Sequence, residues 1–475
     1  IFLELEILTM AAVGPSPCTM CSFLTLLLTA VVNMCSGSDV LQALPKPTAA
    51  QLRWADLEIG ALIHFNMMTF GSCNADPSGF QPAKLDTDQW AQSFADLGVR
   101  EAVLVAKHGC GYTLWPSNAT EPDGKRYNYS VAFSSWRSGR GDVLADFIAS
   151  CSKRGIGVGY YYSLGSNKYA DRMNWTKDEL MAIEKQQVVE LWDTYGHKGN
   201  LTEIWFDGGF EGAMKPFVQQ KLAELQPEAV AFNGCIQQGG HPNKSSCITP
   251  NSVRWVGNEG GNAPIPDWST GYANGGDPNA DIFQPTEADT TLQNGDQWFY
   301  NPSVGLRSMK ELVDVYHQTV GRNAFLMMDF APNKDGLIAP DQVARYKELG
   351  DWIRACYTTP IAAAGPTAVS NDSPMMIKLA SPASIDRVVL MEDQTKGQAA
   401  RAYVVEVQTE SAATWTHVSN GTSVGHKKID RLAQAVTVHA VRVRITASAG
   451  AVTLRSAAVY KCTDPAPPEP LEVIV

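Results

Sequence analysis

The sequence predicts an α/β protein, a (β/α)8 TIM-like barrel followed by an all-β sandwich domain, on three observations. Its 475 residues exceed one ordinary domain and suit a large barrel plus a smaller module. From about Leu57 to Tyr357, short β-rich segments alternate with longer amphipathic ones, the pattern of parallel strands joined by helical crossovers. After Pro360 an Ala/Gly/Pro linker runs through Pro366 and gives way to the period-two alternation of antiparallel strands.

Taken in order, the expected barrel strands are Gly60 to His64, Glu101 to Ala106, Gly155 to Tyr162, Glu203 to Asp207, Ala229 to Phe232, Val253 to Val256, Ile282 to Glu287 and Ala324 to Asp329. Between them helices are expected at Thr87 to Leu97, Asp142 to Arg154, Thr176 to Tyr195, Pro216 to Leu225, Ser308 to Thr319 and Pro340 to Ala355. The sandwich strands are Arg387 to Met391, Ala402 to Val407, Thr414 to Val418, Val436 to Ile445 and Val452 to Val459. The chain therefore divides into a signal-peptide region at 1–38, the barrel at 39–358, the sandwich at 359–464 and an extended, Pro-rich tail at 465–475.

A formal net charge of -11 without a basic stripe argues against a nucleic-acid partner, because phosphate binding draws on clustered Lys and Arg. The apolar run from Phe23 to Val32 has the length of a signal-peptide core and is too short for a membrane anchor, although no Lys or Arg precedes it. Sequons at Asn118, Asn128, Asn174, Asn200, Asn243, Asn371 and Asn420 point the same way, to a secreted, extracellular or lysosomal protein. Beyond the signal region lie Cys73, Cys110, Cys151, Cys235, Cys247, Cys356 and Cys462, an odd number that leaves at least one thiol free or paired between chains. Cys235 and Cys247 bracket a polar, Gly-rich stretch and are expected to close a surface loop. No CxxC pair with downstream ligands remains, so no zinc site is expected.

The chemistry concentrates in Glu203-Ile204-Trp205-Phe206-Asp207-Gly208-Gly209, which presents a carboxylate at a strand end beside two glycines. An anomeric carbon can be approached there without a side chain blocking the ring, so Asp207 is a candidate nucleophile; the alternative is a helix N-cap. Glu259 also lies among glycines after an apolar strand, and is either a general acid/base or an ion-pair partner of Arg254. Nearly every expected strand ends in a polar group: His64, His108, Tyr161 and Tyr162, Asp207, Asn233, Glu259 and Glu287. Burying several such groups in a core at once would be costly, so a shared cleft is the better account.

Five segments stand out: Ile63-His64-Phe65, Lys107-His108 with Leu114-Trp115-Pro116-Ser117, Trp205-Phe206-Asp207-Gly208, Arg254-Trp255-Val256-Gly257-Asn258-Glu259, and Ala331-Pro332-Asn333-Lys334-Asp335-Gly336-Leu337-Ile338. Together, over roughly Gln51 to Tyr357, they resemble the α-L-fucosidases of glycoside hydrolase family 29. The surroundings of Glu259 and of Trp298-Phe299-Tyr300 are similar to the branch that favours α-1,3 and α-1,4 linkages. The resemblance implies a retaining mechanism with Asp207 as nucleophile and Glu259 as acid/base. It also implies fucose contacts from His64, His108, Tyr161 and Trp205 and neither cofactor nor metal; Glu287 matches a family position as a further hydrogen-bonding contact and as a second acid/base candidate ranking below Glu259, while Trp205, Phe206, Trp298 and Phe299 can form an apolar wall. The implied partners are fucosylated oligosaccharides or glycoproteins, with an oligomer possible and no membrane span in the mature chain. Fucose is a 6-deoxy sugar, so its pocket needs donors and acceptors for three hydroxyls and an apolar wall for the methyl group.

The chain departs from the family pattern at three places. His108-Gly109-Cys110-Gly111 stands where two successive histidines and an Asp-Gly are usual, and no Glu-Trp pair follows the first strand, where Thr69 to Asn74 leads into Ala75-Asp76-Pro77. Gln293-Asn294-Gly295-Asp296-Gln297 replaces an Arg-Pro-Gly before Trp298. Two rival functions therefore stand beside the fucosidase: a fucose-binding homologue without turnover, and a barrel glycosidase for another α-linked sugar. The C-terminal part resembles the discoidin-like sandwich often attached to this family, through Val418 to Lys427 and Val441 to Ile445, and is either a glycan-binding or gating module or a brace against the barrel.

Overall fold

The computed structural model describes residues 43–197, 199–409 and 414–465; the expected signal region and the tail beyond residue 465 lie outside the described residues. Eight parallel strands close a barrel in sequence order, with β8 returning to pair with β1. They are β1 (Ile59–Ile63), β2 (Glu101–Lys107), β3 (Gly157–Tyr162), β4 (Leu201–Trp205), β5 (Val230–Phe232), β6 (Ser252–Trp255), β7 (Thr286–Thr290) and β8 (Ala324–Phe330). Helix α1 (Ala49–Ala55) precedes the barrel. Around it run α2 (Thr87–Leu97), α3 (Val143–Ser152), α4 (Lys168–Arg172), α5 (Lys177–Val189), α6 (Lys215–Leu225), α7 (Met309–Gln318) and α8 (Pro340–Tyr357). Local chemistry sets these limits: Asp86 caps α2 by accepting from the Gln89 N–H, and Gly98 ends the helix in the left-handed conformation.

Several expected elements are displaced: β4 runs Leu201–Trp205 rather than Glu203 to Asp207, which leaves Asp207 beyond the strand, and the sandwich strands expected at Arg387 to Met391 and Val436 to Ile445 extend over Met375–Glu392 and Lys428–Ser448. Strand β7 begins at Thr286 rather than Ile282, because Pro285 has no N–H to donate to a ladder. The expected helix from Thr176 to Tyr195 is α-helical only to Val189 and continues to Tyr195 as a π-helical stretch. No α-helix connects β5 to β6 or β6 to β7; long loops take their place, and they shape one side of the barrel mouth.

Period-two alternation sorts the side chains. Tyr160 and Tyr162 pack outward against the helices, while Tyr161 joins Leu62, Val105, Trp205 and Phe232 inside the barrel. Deeper within the barrel lie three fully buried carboxyl groups, Glu101, Glu203 and Glu287.

The sandwich comprises β9 (Ala362–Ala364), β10 (Thr367–Val369), β11 (Met375–Glu392), β12 (Ala400–Gln408), β13 (Thr416–Gly421), β14 (Lys428–Ser448) and β15 (Val452–Tyr460). All pair antiparallel, and register breaks between Lys378 and Ala383 and between Ile385 and Arg387 interrupt the long β11–β14 ladder. The sandwich meets the barrel both at the β6–β7 loop, where Gln398 Oε1 accepts from the Ser269 N–H at 2.7 Å and Arg401 donates to the Pro278 carbonyl oxygen at 2.9 Å, and around the start of β1. Lys427 pairs with Glu58 at 2.6 Å just before β1, Arg455 pairs with Asp56 at 2.7 Å, and Val389 and Ile429 enter the barrel's outer core. A Cys356–Cys462 disulfide ties α8 to the end of the sandwich. Glu58 and Asp56 lie at the N-terminal end of β1, the end opposite the mouth where barrel chemistry collects.

The expected Cys235–Cys247 bridge is present, and Cys73–Cys110 forms a third; Cys151 is a buried free thiol. No helix among the described residues is long and apolar enough to cross a membrane. All seven sequon asparagines are exposed.

Candidate active site

Strand β4 ends at Trp205, so Asp207 is the second residue of the loop at the barrel mouth, where it is exposed to the cleft. Gly208 and Gly209 follow with φ of 66° and 85°, and a Cβ on Gly209 would collide with the Ile236 carbonyl oxygen; glycine is required for the chain to turn away there. Asp207 caps no helix, since α6 starts at Lys215 after Met214. Its Oδ2 instead accepts a hydrogen bond of 2.8 Å from the Tyr161 hydroxyl. Burial and the neighbouring Asp207 charge hold the Tyr161 phenol well above its ordinary pKa, which keeps it a donor.

Glu259 is also exposed, on the loop after β6, and its Oε2 accepts from Trp298 Nε1 at 2.8 Å. Arg254 is not its partner: that guanidinium is buried and pairs with Asp267 at 2.7 Å. The ion-pair alternative for Glu259 therefore falls.

Two adjoining cavities open at the mouth. One, of about 310 Å³, is lined by His64, His108, Tyr161, Trp205, Trp298 and Phe299. The other, of about 370 Å³, lies towards the β5–β6 and β6–β7 loops, with Asn233, Ile236, Trp255, Tyr272 and Asn274 in its wall. Trp205, Asp207, Glu259 and Asp289 line both.

The first cavity combines rings with polar edges. His64 Nδ1 bonds Asp329 Oδ1 at 2.8 Å; burial pushes the imidazole well below its ordinary pKa, helped by His108, and pushes the carboxyl well above its own. His108 is lowered to about 4 by burial, against the pull of Asp207, and is therefore a neutral donor and acceptor above pH 5. Trp298 and Phe299 stand 5.0 and 5.2 Å from His64 by ring centroids, forming an apolar wall beside the polar one.

Glu287 lies elsewhere. It is fully buried beneath the first cavity, lines neither cavity, and accepts from Trp205 Nε1 at 2.8 Å. Trp205 in turn stacks on Tyr161 at 5.0 Å and on Phe232 at 3.9 Å, so Glu287 reaches the mouth through rings rather than by contact. Sequence reasoning missed Asp289, two residues further along β7 and on the same inward face. The signal was available in the alternation of Glu287 and Asp289, but the misplaced end of the strand put Asp289 in a loop.

Two of the three departures from the family pattern meet in space. The Cys73–Cys110 disulfide joins the loops after β1 and β2, and His108 Nδ1 stands 3.8 Å from Cys110 Sγ. Cys73, His108 and Cys110 form the one cluster of metal-type donors among the described residues, and both sulfurs are bonded to each other. That leaves a single imidazole, too few ligands for a metal site.

The alpha-L-fucosidase family model matches residues 51–356. Among curated relatives, alpha-L-fucosidase 1 of Arabidopsis thaliana is 26% identical over 457 residues, covering 84% of each chain. Tissue alpha-L-fucosidase of Mus musculus is 25% identical over 278 residues, covering 56% of this chain and 54% of its own. A crystal structure of a glycoside hydrolase 29 family member from an unknown rumen bacterium superposes with a TM-score of 0.74 at 26% identity, covering 90% of this chain and 79% of that one.

Proposed function

The chain belongs to the alpha-L-fucosidase family, and we propose that it is a retaining exo-α-L-fucosidase in which Asp207 attacks the anomeric carbon and Glu259 protonates the departing oxygen. Glu259 then activates water to release fucose from the covalent intermediate. The observation that carries this assignment is that both carboxylates line the same two adjoining cavities. One cavity supplies rings and neutral histidines for a deoxy sugar, and the other leaves room for the group it departs from. A retaining mechanism asks for a gap of roughly 5 Å between the two carboxyl groups.

His64, His108, Tyr161, Trp205 and Trp298 are the proposed fucose contacts. Glu287 is assigned to hold Trp205 in place. The second cavity, beside the catalytic pair and walled by Trp255, Tyr272 and Asn274, suits a branched leaving group such as an α-1,3- or α-1,4-fucosylated glycan. The exposed sequons support secretion or delivery to a lysosome.

Incubation with 4-nitrophenyl α-L-fucoside, alongside a panel of other aryl glycosides, tests the activity. Turnover of the fucoside with α-fucose as the first-formed anomer is expected. Binding without turnover would make the chain a fucose-binding homologue, and preference for another glycoside would make it a different glycosidase. A competitive digest of α-1,2, α-1,3, α-1,4 and α-1,6 fucosylated oligosaccharides then reads the linkage.

A further inference from the structure

Asp289 belongs to neither the nucleophile nor the acid/base assignment, yet it lines both cavities alongside Asp207 and Glu259. Its residue is 3% exposed, and Oδ1 accepts from Trp255 Nε1 at 2.7 Å. No other side chain bonds its carboxyl among the described residues. Strand β7 aims Glu287 and Asp289 at the same interior, and Asp289 is the one nearer the mouth because the strands run towards it. Held by Trp255 through one oxygen, the Asp289 carboxyl leaves its other oxygen at the junction of the two cavities, where a group occupying both would meet it.

We propose that Asp289 is a further substrate-contacting residue, whose free carboxyl oxygen hydrogen-bonds the 2-hydroxyl of the sugar, the hydroxyl adjacent to the bond being broken. This rests on the fucosidase reading above. Of the three carboxyl groups that line both cavities, Asp289 is the most buried. Burial, with the charges of Glu259 and Asp207, raises it to about 7, so in acid to neutral solution it carries a proton to donate. Hydrogen bonds to the 2-hydroxyl that tighten in the transition state are a recurrent source of glycosidase rate.

The test compares wild type, Asp289→Asn and Asp289→Ala on 4-nitrophenyl α-L-fucoside and its 2-, 3- and 4-deoxy analogues. Each variant is read on all four substrates, so any loss of folded protein cancels in the ratios. For Asp289→Ala, kcat/KM on the parent should fall about 10²-fold. On the 2-deoxy analogue it should fall less than about threefold, while the 3- and 4-deoxy analogues lose as much as the parent. Equal losses on all four substrates would reduce Asp289 to an anchor for Trp255. Relief on the 3- or 4-deoxy analogue alone would overturn the 2-hydroxyl assignment. A loss that grows with the basicity of a series of phenol leaving groups would make Asp289 the proton donor and overturn it too. If wild type neither turns over nor, by calorimetry, binds any fucoside, the fucosidase reading fails and this inference with it; wild-type turnover without selective relief sinks this inference alone.

Discussion

Replacing Glu287 by Gln should make the protein more stable at neutral pH and leave it nearly unchanged at pH 5. Glu287 is fully buried and raised from 4.5 to about 8 by burial, in a column with Glu203 and Glu101, both of which are also pushed up by burial. An acid whose folded pKa is raised contributes its full stability below the unfolded value. That contribution is lost as pH rises from about 4.5 through about 8, because the unfolded chain ionises first. The slope is about 1.4 kcal/mol per pH unit for one proton, so between pH 5 and 7.5 this carboxyl removes about 3 kcal/mol. Gln cannot ionise, and its carbonyl oxygen can still accept the 2.8 Å bond from Trp205 Nε1. Urea unfolding followed by tryptophan fluorescence at the two pH values measures the effect. Wild type should lose stability between pH 5 and 7.5 more steeply than Glu287→Gln by one proton. Parallel pH dependences in the two proteins would show that Glu287 does not carry its proton in the fold, and the buried acid column would need another account.

Asp207→Gly should lower turnover of an aryl fucoside by about 10⁴-fold or more, with exogenous azide restoring product formation at the open site; rescue only when another carboxylate is removed would transfer the nucleophile role. Glu259→Ala should fall by about 10² to 10⁴-fold on natural glycans and far less on aryl fucosides with good leaving groups, and equal losses would remove its acid role. The double variant Cys73→Ser/Cys110→Ser opens a loop with a sequence separation of 37 residues. By loop entropy alone it should cost about 4 kcal/mol. Freed from the bridge, His108 should raise KM several-fold with a smaller effect on kcat; unchanged kinetics would mean that the bridge does not position it.

The barrel was legible because its strands are short apolar runs punctuated by polar residues, and a strand that leads straight into His64 or opens the loop to Asp207 announces both its period and its direction. What the sequence concealed was pairing across the mouth. Nothing near Cys73 in the chain names Cys110, and nothing near Glu259 names Trp298, since these contacts exist only once separate loops converge. The miss at Asp289 had a local cause. Ile282-Phe283-Gln284 looks like the core of a strand, but Pro285 removes a ladder donor and moves the strand four residues on. That shift matters for chemistry more than for topology. It turns Glu287 from the strand's last residue, free to meet a sugar, into an interior residue bound to Trp205, and it brings Asp289 to the mouth. An acid read one step too close to the cleft was therefore standing in for its neighbour, and the alternation of a single strand decides which of the two carboxyls a substrate can reach.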